Sequence, residues 1–136
     1  MVKVILGLKG TGQTKQLIEA INRAVDTEPG NIVCIEKKDN LRFDISHRVR
    51  LVESNEYKID SFDFLKAFIC GLHAGNFDIT HIFIDGVYKI AASNSLEDAE
   101  KFLNWCEKFG AENSISFTVT LSEDIANATE NLKRFF

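Results

Sequence analysis

The stretch VKVILGLKGTGQTKQL, residues 2–17, decides how the chain reads. VKVIL (2–6) is a short apolar run of the kind that forms a buried strand. A glycine-punctuated turn follows. From Gln13 to about Thr27 the apolar residues Leu17, Ile18, Ile21, Ala24 and Val25 recur at helical spacing, and Glu28-Pro29-Gly30 stops that helix. Strand, glycine turn, helix is the opening of an alternating α/β chain.

The rest of the chain continues the alternation. NIVCIE (31–36) reads as a second strand. KKDN (37–40) reads as a turn and LRFDI (41–45) as an exposed strand, so the spacing predicts a β-hairpin there. RVRLVE (48–53) alternates with Val49, Leu51 and Val52 inward. Residues 60–74 place Phe62, Leu65, Phe68, Ile69 and Leu72 on one helical face, with Asp60 or Ser61 as N-cap. ITHIFID (79–85) is a strongly apolar strand, followed by a polar loop. Ser95 and Asp98 form a capping-box pattern before a helix whose apolar face is Leu96, Ala99, Phe102, Leu103, Cys106 and Phe109, with Gly110 as its end. SISFTVTLS (114–122) alternates strictly, which predicts a strand with one solvated face at a sheet edge. A last helix is expected from about Glu123 to Lys133. The fold expected is α/β: a three-layer α/β/α sandwich with a mostly parallel central sheet, one domain over residues 1–136.

Composition narrows the function classes. The chain has 136 residues with a net charge of −4, which argues against sequence-independent nucleic-acid binding. Lys37, Lys38, Arg42, His47, Arg48 and Arg50 do cluster, and the plain reading is a solvated hairpin surface. Eleven phenylalanines against one tryptophan and two tyrosines favour a filled core over an aromatic binding platform. Cys34, Cys70 and Cys106 are widely spaced in apolar stretches, without zinc-ligand spacing. They read as small buried hydrophobes in a reducing cytoplasm. No apolar run reaches the ~18 residues of a membrane span, and the glycine-broken N-terminus is no signal peptide.

Residues 7–14 approach the phosphate-cradling pattern G-x-x-x-x-G-K-[ST], with Gly7, Gly12 and Thr14 in place and Gln13 in the lysine slot. Glycines permit positive φ and remove the Cβ that would keep a phosphate away. Successive backbone N–H groups then form an anion nest, and the helix starting near Gln13 points its positive end at the same spot. None of this needs a lysine. Thr14 stands where a hydroxyl would ligate Mg²⁺; it reads equally as a helix-start threonine in a local hydrogen bond. Gln13 can donate a hydrogen bond but brings no charge. Charge-assisted bonds contribute ~1.5–3 kcal/mol against ~0.5–1.5 kcal/mol for neutral ones. The deficit should weigh most on catalysis, where charge grows in the transition state. Lys9, inside the loop, is the better candidate to compensate. Lys15, ~100° further round the helix, aims away from the slot.

HIFID (81–85) is the other half of such a site: an apolar strand ending in a carboxylate, Asp85, able to hold the ion directly or through water. It also reads as the start of an Asp-Gly turn. Gly86, Val87 and Tyr88 follow it, so no acidic residue is there to orient an attacking water. Glu36 and Glu53 end other strands, where they could face the same crevice at the carboxyl edge of the sheet; the plainer reading is ordinary solvent-facing residues. Thr120 and Ser122 are placed to sense a γ-phosphate. His73 suits a helix C-terminus, and His81 a hydrogen-bonded structural role.

With those motifs in hand, GLKGTGQTK and HIFID together resemble the P-loop NTPase superfamily, with a degenerate Walker A and a Walker B aspartate. GLKGTGQTKQLIEAINRAV, GNIVCIEK, FICGLHAGNFDITHIFIDG and SFTVTLSED together resemble small bacterial proteins labelled ATP-binding or PilT-like (twitching-motility ATPase), whose function is not established. The likeness covers most of the chain, which is far too short for a hexameric motor. The resemblance implies the three-layer fold, phosphate contacts from Gly7, Gly10, Thr11, Gly12 and Thr14, and metal contact through Asp85. It would also imply a lysine at position 13, from which this sequence departs. Some P-loop dimers carry a lysine early in the loop that acts across the interface, and Lys9 lies one position from that place.

The functional expectation is a cytoplasmic P-loop protein that binds ATP or GTP with Mg²⁺ through Gly7, Lys9, Gly10, Thr11, Gly12, Gln13, Thr14 and Lys15. Thr14 and Asp85 take the metal, and hydrolysis is slow or absent. The alternatives are a small NTPase or kinase that uses Lys9, and a protein-interaction module with a vestigial loop. Expected partners are a nucleotide and either a second copy of the chain or another protein.

Overall fold

A computed structural model describes residues 1–8 and 10–136; Lys9 lies outside the described residues. The strands are β1 (Val2–Gly7), β2 (Asn31–Glu36), β3 (Arg50–Glu53), β4 (Ile79–Ile84) and β5 (Ser116–Ser122). The helices are α1 (Gln13–Thr27), α2 (Phe62–Gly75), α3 (Val87–Ile90), α4 (Leu96–Asn113) and α5 (Glu130–Lys133). All strand pairs are parallel, in the order β1-β5-β4-β2-β3. The chain is therefore α/β, a three-layer α/β/α sandwich.

Residue alternation along the strands sorts two cores, one per sheet face. Ile5, Ile32, Cys34 and Phe83 pack with Leu17, Ile21, Ala24 and Val25 of α1, and with Leu41 and Val49. Their neighbours Val4, Val33, Ile35, Ile82, Ile84, Phe117 and Val119 face the other way, onto α2, α3 and α4. Burial on both faces is why the strands read as apolar runs. Ser61 and Ser95 cap α2 and α4 by accepting from the amides of Phe64 and Asp98, as their positions predict. No helix among the described residues is long and apolar enough to cross a membrane.

Six local expectations are corrected. The hairpin does not form: 37–49 is a run of turns, and β3 pairs parallel to β2. The Glu36 carboxylate, which accepts the amides of Asn40 and Leu41, folds this segment back, and Leu41 and Val49 become core. β5 is an inner strand, and the sheet edges are β1 and β3. Its polar positions Thr118 and Thr120 are buried because each finds a side-chain partner. Gly110 does not end α4; it sits inside the helix, where a Cβ would run into the Ile115 carbonyl. The expected polar loop after β4 contains α3, with Val87, Ile90 and Ala91 buried. The last predicted helix is split into a 3₁₀ turn (Ile125–Asn127) and α5, each started by its own capping side chain, Asp124 and Thr129. Cys34 and Cys106 are buried as expected, whereas Cys70 is exposed.

Candidate functional site

The carboxyl ends of parallel strands are where ligands bind in open α/β sheets. Here they open into a cleft of ≈ 510 Å³, lined by Gly10, Gln13 and Thr14 on one side and Asp85, Gly86 and Lys89 on another. Glu36 at the end of β2, Lys37, Lys38 and Asn40 after it, and Thr120 and Ser122 of β5 complete it. The sheet order explains the assembly: β5 lies between β1 and β4, so the end of β5 bridges the loop before α1 and Asp85.

The loop turns on two glycines in the left-handed region, Gly10 (φ 85°) and Gly12 (φ 87°). Gly12 is the N-cap of α1, and no side chain caps the helix. The first turn of α1 carries no acidic residue, so its own side chains do not neutralise the positive end of the dipole. Thr11 is exposed, and its amide and its hydroxyl both donate to the Leu8 carbonyl, at 3.1 and 2.6 Å. Gly7 ends β1, and a Cβ there would meet Thr11 Oγ1 and crowd Gln13 Cγ. Thr14 is exposed on the cleft wall. Lys15 is exposed and is not among the cleft-lining residues.

Gln13 is buried, and it is employed. Its Nε2 donates to the Gly7 carbonyl at 2.6 Å and to the Leu121 carbonyl at 3.0 Å. The residue in the lysine slot thus ties the ends of β1 and β5 together beneath the loop. A lysine ammonium would spend its charge on the same carbonyls or reach past them; the amide serves this tie with no charge to strand.

Asp85 is oriented from behind. Thr120 Oγ1 donates to Asp85 Oδ1 at 2.8 Å and accepts from the Gly86 amide at 2.7 Å. The Thr120 hydroxyl is committed to that relay, so it holds the carboxylate and is not itself free to sense a phosphate. Glu36 is 2% exposed, against the expectation of a solvent-facing residue. Burial pushes its carboxyl up from the ordinary value, and Asp85 and Asp39 add to this, while the Leu41 and Asn40 amides oppose it. Its role is to fold 37–41. Glu53 pairs with Arg42 at 3.6 Å.

The geometry fits a phosphate-bearing ligand with a hard cation. An uncapped helix start, two positive-φ glycines and lysines on the far wall suit the anion. One oriented carboxylate and a hydroxyl suit Mg²⁺, which keeps most of its ligands as water. Among the described residues no group of three His, Cys, Asp or Glu side chains gathers in metal-binding fashion. The chain matches no protein-family profile and no curated relative.

Sequence spacing missed Lys37, Lys38 and Lys89 as cleft residues. The spacing places the first two on a hairpin surface and Lys89 in a polar loop.

Proposed function

We propose that this cleft binds ATP or GTP with Mg²⁺ through the phosphates, as a structural or regulatory ligand, with hydrolysis slow or absent. The observation that carries this reading is the uncapped start of α1, after Gly10 and Gly12, opening into the cleft that also holds the Thr120-oriented Asp85. The backbone amides of the first turn are the anion donors, and Thr14 and Asp85 face the cation. Slow turnover follows from two features. Gln13 contributes no charge and its amide is already spent. No acid follows Asp85 to orient a water. Cytoplasmic placement belongs to the same proposal, since all three cysteines are free.

The test is a melting experiment with and without millimolar Mg-ATP or Mg-GTP. A ligand at ~100 times its Kd stabilises by ~2.7 kcal/mol, so the midpoint should rise by several degrees. An unmoved midpoint with both nucleotides removes the proposal.

One observation favours a second reading. The Gln13 tie holds the loop by the protein's own side chain, as expected of a vestigial loop on a protein-interaction module. The same melting experiment separates the two, because a dead loop gains nothing from nucleotide.

A further inference from the structure

Resting on the reading of the cleft as a phosphate site, we infer that the ligand is recognised through its phosphate chain alone. Lys37, Lys38 and Lys89 supply the charge that position 13 lacks, and the base goes unread.

Two properties of the lining lead here. The first is where its cations stand. Lys37 and Lys38 follow β2 and Lys89 lies on α3, so the positive charge sits on elements flanking the end of β4, away from α1. All three are exposed, and among the described residues none is ion-paired with a carboxylate. Unpaired ammonium groups across the cleft from an uncapped helix start leave an anion held from two sides.

The second property is what the lining lacks. It consists of glycine, hydroxyl, amide, carboxylate and lysine side chains, and none of the described lining residues is aliphatic or aromatic. Sites that hold a flat organic group are lined mainly by apolar and aromatic side chains, with a few polar groups fixing orientation. Among the described lining residues a purine finds no aliphatic or aromatic side chain to stack on. Asn40 offers a single side-chain amide, too little to separate adenine from guanine without a stacking partner. The ligand class is therefore any Mg²⁺-bound chain of phosphates, nucleoside-linked or inorganic.

Calorimetric titration of the full chain with Mg-ATP, Mg-GTP and magnesium tripolyphosphate tests this. The three affinities should agree within about threefold, and adenosine should not bind. The combined K37Q/K38Q/K89Q variant should lose about tenfold or more for all three ligands alike, with its ligand-free melting point unmoved. ATP or GTP binding at least tenfold tighter than tripolyphosphate overturns the inference while leaving nucleotide binding intact. So does a triple variant that binds as the parent does. Binding of none of the three ligands removes the phosphate reading of the cleft and this inference with it.

Discussion

Two polar groupings interrupt the apolar sheet, one at each end, and they differ in whether their bonds are complete. At the carboxyl edge, the start of α1 is uncapped, Thr14 faces the cleft and, among the described residues, three lysines have no carboxylate partner. Towards the amino edge, beneath the C-terminal end of α1, Glu28, His81 and Thr118 form a closed chain. His81 Nδ1 meets Glu28 Oε2 at 2.7 Å and its Nε2 meets Thr118 Oγ1 at 2.8 Å. Thr80 Oγ1 adds a bond to Glu28 Oε1 at 3.1 Å, and the imidazole stacks on Phe83. An acid, an imidazole and a hydroxyl in a row look like catalytic machinery. Each bonds to the next, the strand backbone at Thr118 is engaged in the sheet on both sides, and the row joins the C-cap of α1 to two strands. The network latches the end of α1 onto β4. Unmet bonding capacity, more than the presence of reactive residue types, separates a site from a strut.

The largest expected effect breaks the closed network. His81→Ala leaves Thr118 and Glu28 without their partner and should cost ~2–4 kcal/mol in urea unfolding. Nucleotide affinity should hold. Lost affinity at unchanged stability would reverse the roles assigned to the two ends.

Next comes the open end. Thr14→Ala combined with Asp85→Asn should abolish the Mg-ATP-dependent rise in melting point, worth ~2–3 kcal/mol at saturating ligand. Ligand-free stability should change by under ~1 kcal/mol, since Thr14 is exposed and an asparagine oxygen still accepts from Thr120.

Gln13 stands between the two regimes, a closed bond beneath an open cleft. Gln13→Ala removes the donor shared by the Gly7 and Leu121 carbonyls and should lower stability by ~1–2 kcal/mol. An unchanged denaturation midpoint would show that the tie holds nothing.

The smallest effect is a pH dependence. Burial lowers the His81 pKa in the folded protein from its ordinary 6.5, with Glu28 opposing. Below pH ~6.5 the unfolded chain therefore binds a proton that the native state refuses, and stability falls as the pH drops from there towards the depressed value. His81→Ala should flatten that part of the profile relative to the parent. Parallel curves would mean that His81 titrates normally.

The open end was the more legible of the two in sequence. Gly7, Gly12, Thr14 and Asp85 follow a local pattern whose flanks, VKVIL and HIFID, announce themselves by apolar runs. The latch was not legible, because Glu28, His81 and Thr118 are separated by 53 and 37 positions and only sheet register brings them together. The strict alternation of SISFTVTLS misled for the same reason. Thr118 and Thr120 look like a solvated face until His81 on β4 and Asp85 just past its end are seen to claim their hydroxyls. Gln13 reads locally as a damaged phosphate contact, and only the nearness of the Leu121 carbonyl, 108 residues away, reveals a strand tie.

By itself, then, the amino-acid order determined the α/β class, the placement of α1, α2, β2 and β4, and the strand–glycine–helix entrance. These rest on hydrophobic period and backbone conformation, which act over a few neighbouring residues. The tertiary structure alone decided that β5 runs inside the sheet, that 37–49 folds back over it, and that three lysines share a cleft with Asp85. Those outcomes depend on which polar groups find partners once strands are side by side. No run of neighbouring residues contains that information.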